Sequence, residues 1–202
     1  MQALTTSPFV KTYTLEEFWE LPEPKDGSKL ELIAGVLYMS PPPNSPHNFS
    51  WASLNRLFII HLAEIGDRGV IFAPRAALWT GPSTYVEPDL FYISAKMLKR
   101  VDPAEPDCAD LVVEIISPGT AIYDRNTKAD TYAALGVREL WLVDPDNETV
   151  EVRNLKRMKK GEKGSYGVGR VFKRGERVES KVLPKFSPSV SEICRAVPRK
   201  SK

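Results

Sequence analysis

A glutamate sits inside an apolar run, Leu111-Val112-Val113-Glu114-Ile115-Ile116-Ser117, and its placement asks for a chemical explanation. A carboxylate at the centre of such a run is destabilising by several kcal/mol unless it is paired or bound to a cation. Asp89, in Val86-Glu87-Pro88-Asp89-Leu90, falls in a neighbouring strand region that Pro88 makes irregular. Two carboxylates on adjacent strands form a hard, oxygen-rich site suited to Mg²⁺ or Mn²⁺ rather than to zinc. Lys128 follows on the next predicted helix, where Asp124, Lys128 and Tyr132 share one face at four-residue spacing. A helix folding back over the Glu114 strand would bring the ammonium to the carboxylate pair. Singly, each residue has a plain reading: Glu114 and Lys128 as a buried ion pair, Asp89 as a turn residue. Together they point to a metal-assisted reaction.

The elements that must position these groups can be read from periodicity and punctuation. Thr14 and Glu17 form a capping box that opens a short helix before Pro22 and Pro24. Residues 29–39 form a hairpin about Gly35, and 48–65 an amphipathic helix with its stripe at Trp51, Leu54, Phe58 and Leu62. Strands are expected over 69–79, 85–93 and 110–117, the last continuous enough to be covered on both faces. A helix over 124–135, closed by Gly136, then leads to a buried strand at 139–143. A helical connection between two strands is what a parallel pair requires. The remainder reads as hairpins, TVEVRNL, GVGRVF and RVESKV, with 156–164 as the expected mobile loop.

With 202 residues, 42% apolar and 27% charged, the chain has the composition of one globular domain. The expectation is a single domain over 1–202, with its core at about 13–193 and a basic tail at 194–202. No apolar run is long enough to span a bilayer, and the N-terminus lacks a signal pattern. Two cysteines, Cys108 and Cys194, without zinc spacing suit a reducing cytoplasm. The net charge of +2 is uneven, −9 over residues 1–150 and +11 over 151–202. That distribution suits a polyanionic partner or, equally, a solvated lysine-rich hairpin. Phosphate-loop, GxGxxG, HExxH and paired-cysteine patterns are absent. A serine triad finds only His47 and His61, both near or within one predicted helix.

Five segments together carry a resemblance: Lys29-Leu30-Glu31-Leu32-Ile33-Ala34-Gly35; Ser45-Pro46-His47; Glu87-Pro88-Asp89-Leu90; Val112 to Pro118; and Asp124, Lys128, Tyr132 and Gly136-Val137 leading into Glu139-Leu140-Trp141-Leu142-Val143-Asp144-Pro145. From about Tyr13 to Ile193 the chain resembles the Uma-two family of restriction-endonuclease-like proteins, within the PD-(D/E)XK nuclease superfamily. The resemblance implies an α/β (α+β) fold, a restriction-endonuclease-like mixed β-sheet flanked by helices, here with added β-hairpins. It implies Asp89 and Glu114 as metal-binding acids, with the backbone carbonyl of Ile115 as a further ligand. The superfamily lysine would fall at Ile116, which cannot serve; Lys128 matches a lysine moved onto the following helix. It is expected as the third catalytic residue beside Asp89 and Glu114, orienting the attacking water or stabilising charge that develops on the phosphate. Glu31, His47 and Asp124 are accessory candidates; His47 matches a recurrent histidine without an assigned role.

The expected activity is Mg²⁺- or Mn²⁺-dependent endonucleolytic hydrolysis of phosphodiester bonds in nucleic acid, DNA first, by a cytoplasmic homodimer. One rival is a catalytically silent nucleic-acid-binding or interaction module that keeps the fold. Another is a dimeric scaffold. EDTA-insensitive, salt-sensitive binding without cleavage would mark the silent module.

Overall fold

A computed structural model describes residues 10–156 and 163–195. Most of the 156–164 loop and of the 194–202 tail lies outside the described residues. The Thr14–Glu17 capping box is present and starts α1 (Leu15–Trp19). β1 (Lys29–Ile33) and β2 (Val36–Ser40) form the expected hairpin, turning at Ala34 and Gly35 with φ of 50° and 82°. α2 spans Ser45–Glu64; Asn44 caps it and Pro46 suits its first turn, so it begins before the expected Asn48.

Two expected strands prove to be four. The 69–79 segment splits into β3 (Val70–Phe72) and β4 (Leu78–Thr80), and 85–93 into β5 (Thr84–Val86) and β6 (Leu90–Ile93). Each break contains a proline, Pro74 and Pro88, which cannot donate a ladder hydrogen bond. The chain uses each break to pass from one sheet to another. β3 and β6 belong to a six-stranded sheet and β4 and β5 to a four-stranded one. Asp89 lies on the second crossing.

β7 (Leu111–Ile115) is buried along its length and pairs antiparallel with β6 and parallel with β8 (Glu139–Asp144). The connection between the parallel strands runs through α3 (Ala121–Tyr123), a π turn at Asp124–Lys128, and α4 (Ala129–Leu135). β9 (Thr149–Asn154) and β10 (Arg170–Lys173) complete the large sheet, ordered β10-β9-β8-β7-β6-β3. The small sheet is ordered β2-β1-β5-β4. RVESKV forms no strand; apart from an Arg177–Ser189 bridge it is irregular, and Val178 and Leu183 are buried. α5 (Val190–Ile193) comes next, opened by a Ser189–Glu192 capping box that lies outside the elements expected from periodicity.

Alternation on β7 divides the core. Leu111, Val113 and Ile115 face a cluster with Leu54, Phe58 and Leu62 of α2, Trp141, Phe186 and Ile193. Val112 and Ile116 face the other way, toward Ala129 and Tyr132 of α4 and Ile33, Leu78 and Val86 of the small sheet. By period two Glu114 belongs to this second row. Among the described residues no helix is long and apolar enough to cross a membrane.

Gly136 ends α4 at φ 85°, with its N–H donating to Tyr132 and Ala133 carbonyls. Gly136→Ala places a Cβ in a left-handed conformation and should cost about 1 kcal/mol or slightly more. For a chain of this size that is a fall of about 2–4 °C in Tm, measurable by thermal denaturation. An unchanged Tm would show that this turn does not set the helix end.

Candidate active site

Asp89 reaches its position by strand register and is then fixed by a helix. β6 and β7 pair with Leu90 opposite Val113, and one further step sets Asp89 across from Glu114. Asp89 Oδ2 accepts the Ile115 N–H at 2.7 Å and lies 3.1 Å from His47 Nε2. Its backbone carbonyl accepts the Trp51 indole N–H at 3.0 Å. His47 and Trp51 are one turn apart in α2, so a single helix face holds both ends of the aspartate. Lys29 Nζ stands 3.8 Å from Asp89 Oδ1. Burial is the largest single influence on the Asp89 carboxyl and pushes it up; the His47 hydrogen bond and the charges of Lys29, His47 and Lys128 outweigh it and hold the group at about 2.

Behind Asp89 lies a fully buried charge network. Lys128 Nζ is 2.6 Å from Glu114 Oε1 and 3.0 Å from Glu31 Oε1, with Lys128 only 1% exposed and Glu31 0%. The Tyr132 hydroxyl donates to Glu114 Oε1, and the Glu87 N–H donates to Glu31 Oε1 at 2.8 Å. Burial works against the Lys128 ammonium, yet the facing carboxylates raise its pKa well above the ordinary lysine value. Burial pushes the Glu114 carboxyl up to about 8 against the pull of Lys128, and Asp89 and Asp124 add to the push.

These groups open onto a cavity of about 700 Å³. Asp89, Glu114, Ile115, Asp124, Lys128 and His47 all line it. The structure therefore brings the sequence-predicted trio together, along with His47, Asp124 and Ile115. Glu31 is the exception: it sits underneath, against Lys128, and its Oε2 is buried without a hydrogen-bond partner among the described residues. Asp124 is buried and its carboxyl is pushed up by that burial, but it makes no ion pair with Lys128 within 4.0 Å. Lys29, Trp51, Glu87 and Tyr132 carry no role in the sequence-based site. Lys29 and Tyr132 left a signal, since each stands at helix or strand spacing from a chosen residue (Glu31, Lys128). Trp51 looks like ordinary helix core.

The donor chemistry fits a hard divalent cation. Five buried acids (Glu31, Glu87, Asp89, Glu114 and Asp124) gather about two ammonium groups (Lys29 and Lys128), with His47 against Asp89 and Arg75 beside Glu87. Carboxyl oxygens are therefore plentiful, and burial pushes Glu114 and Asp124 toward the neutral form, which a cation would reverse. Among the described residues no group of three or more His, Cys, Asp and Glu side chains is arranged to hold a metal. An ion here would rest on Asp89, Glu114, the Ile115 carbonyl and water, which matches the habit of Mg²⁺ of keeping several waters.

A mixed sheet with a parallel β7–β8 pair, a helical crossover over one face and acids at the strand ends defines a restriction-endonuclease-like α/β fold. The chain belongs to the Uma2 family, described as "Putative restriction endonuclease", whose model matches residues 15–191. Family membership supports a nuclease function. Its fold is shared with a crystal structure described as a putative nuclease belonging to DUF820, from Anabaena variabilis, at 20% identity and a TM-score of 0.67, covering 90% of this chain and 97% of that one. No curated protein matches the chain.

Removing one member of a buried ion network leaves the others uncompensated, at a cost of about 3–5 kcal/mol. Lys128→Met should lower stability by that order in denaturant titration. Adding Glu31→Gln to Lys128→Met should recover part of the loss, because one stranded carboxylate disappears. Additive effects of the two substitutions would mean that the pair is not coupled.

Proposed function

We propose that this protein is a Mg²⁺- or Mn²⁺-dependent endonuclease acting on phosphodiester bonds of nucleic acid, with DNA as the first candidate. The observation that carries this reading is the meeting of Asp89 and Glu114 at one cavity, with a buried lysine behind them. A divalent ion held by Asp89, Glu114 and the Ile115 carbonyl would polarise a phosphoryl oxygen and lower the pKa of water toward neutrality. Asp89 is already ionised and oriented for that task, its Oδ2 held by Ile115 and His47 so that Oδ1 is the oxygen left for an ion. Lys128 holds the Glu114 carboxyl in place and opposes the burial that pushes this acid up to about 8, so a bound divalent ion would have to complete its ionisation. His47 acts here by orienting Asp89. Asp124 adds negative potential at the cavity wall.

A cytoplasmic homodimer belongs to the same reading. Cys108 and Cys194 are unpaired, as suits a reducing compartment. Ile59, Ile60 and Ile65 near the end of α2 and Val70 on edge strand β3 are exposed, a surface a second copy would cover.

Labelled single- and double-stranded oligonucleotides incubated with Mg²⁺, Mn²⁺ or EDTA test the activity. The wild type should cut only with a divalent ion, and Asp89→Ala and Glu114→Ala should each lose at least about 1000-fold, a few kcal/mol of transition-state stabilisation. Cleavage in EDTA, or variants that cut at the wild-type rate, would remove these acids from the chemistry. Salt-sensitive binding with no cleavage in any ion would favour the silent module.

A further inference from the structure

We propose that Lys29, not Lys128, is the lysine that grips a phosphate of the substrate, an inference that rests on the nuclease reading above. The two lysines differ in what their ammonium groups are free to do. Lys128 is 1% exposed, and two of its three donors are directed at Glu114 and Glu31, at 2.6 and 3.0 Å. It is part of the floor under the cavity. A phosphate could displace those carboxylates only by stranding both in the interior, which is a costly exchange.

Lys29 is differently placed. It stands two residues before Glu31 in β1, on the same strand face, so the hairpin that buries Glu31 also aims Lys29 at the site. Its side chain is 22% exposed and lines the cavity. Nζ donates to the Glu87 carbonyl at 2.7 Å and lies 3.8 Å from Asp89 Oδ1, a separation too long for a hydrogen bond. One of its three donors is thus engaged, and the ammonium group stands beside Asp89 without being bonded to it. The Asp89 oxygen next to it is Oδ1, the one not held by Ile115 and His47.

Other cations are poorer candidates. Arg75 lines the cavity too and is accessible, but its guanidinium stands nearest Glu87, at 3.6 Å, and Glu23, at 4.0 Å. Among the described residues it has no ion-pair contact with Asp89, whereas Lys29 has one. On β10, Arg170 pairs with Glu179 at 3.0 Å, and in the turn after it Arg174 pairs with Glu148 at 3.0 Å; neither lines this cavity. No described residue of the basic segment 151–202 lines the cavity, so that segment does not place its described charges at the acids. The ammonium group that combines access, a tether and proximity to Asp89 is Lys29. It would supply one charge-assisted contact to a phosphate oxygen as an ion held by Asp89 and Glu114 engages the same group.

Oligonucleotide affinity by fluorescence anisotropy, with Ca²⁺ in place of Mg²⁺, is measured between about 50 and 200 mM salt. Cleavage in Mg²⁺ is followed in parallel for wild type, Lys29→Ala, Lys29→Arg and Lys128→Met. Lys29→Ala should flatten the plot of log affinity against log salt by about 0.7–0.9, the release of one counterion, and Lys29→Arg should restore the wild-type slope. Cleavage by Lys29→Ala should fall roughly 100-fold in kcat/KM, as for loss of one donor to a developing charge. Lys128→Met should keep the wild-type salt slope even where its stability and cleavage drop. If the wild type binds and cuts while Lys29→Ala matches it in slope and rate, the Lys29 assignment is overturned and the nuclease reading stands. A flattened slope in Lys128→Met alone would reverse the roles. If the wild type neither binds nor cuts, the nuclease reading falls, and this inference with it.

Discussion

One ammonium group joins the parts of this molecule. Lys128 comes from the helical crossover and meets Glu31 from the small sheet and Glu114 from the large one, all in the interior. Each charge alone would be costly to bury by several kcal/mol; together they are tolerable only at close range and with further hydrogen bonds. Those are provided by Tyr132 on Glu114 and by the Glu87 backbone on Glu31. The network has little tolerance for a change in geometry. A shift of either sheet relative to the crossover would separate unlike charges in a medium that screens them poorly. The relative placement of the two sheets is therefore tied to a polar contact that apolar packing alone would leave loosely specified.

The same contact explains the irregular helix. Between α3 and α4 the chain winds as a π turn over Asp124–Lys128, a form that occurs mostly as short insertions and often at functional sites. Widening the turn shifts the phase of α4 relative to α3. Lys128 and Tyr132 both converge on Glu114 Oε1, while Asp124 still lines the cavity. Tyr123, just before the turn, stacks on Tyr38 of β2 at 4.5 Å between ring centroids and closes the gap between crossover and hairpin. A regular four-residue spacing accounts for Lys128 and Tyr132 on one face, but not for the local widening, which leaves no mark in composition.

How far the sequence reveals the site depends on the kind of signal each residue leaves. Glu114 is legible because a carboxylate within LVVEII contradicts its surroundings. β7 is legible for the same reason, since only a strand covered on both faces needs that run. Lys128 and Asp89 are legible as partners of that anomaly. The sheet crossings at Pro74 and Pro88 are harder to read: a proline argues against a central strand, but nothing local says that the two halves join different sheets. RVESKV alternates like a strand, yet its apolar residues Val178 and Val182 pack against the α2 side of the large sheet as an irregular cover. Tertiary demand overrides local pattern there. His47 and Trp51 are visible as a motif residue and a core residue; their shared task, gripping Asp89 from α2, depends on how that helix lies across the sheet.

Charge distribution links the fold to its proposed chemistry. The cavity gathers more acids than ammonium groups, which is unfavourable for a polyanion to the extent that those acids are ionised. The basic segment 151–202 does not offset them locally, because cations such as Arg170 and Arg174 are paired with acids of their own. On the proposed reading a phosphate would approach Asp89 and Glu114 only after positive charge had been added beside them, part of it from Lys29 and the remainder from a divalent ion. Such a site would, on that reading, discriminate between its states: without a cation it would repel nucleic acid, and with one it would attract it, so the arrangement that makes the acids expensive to bury would also make substrate engagement conditional on the ion.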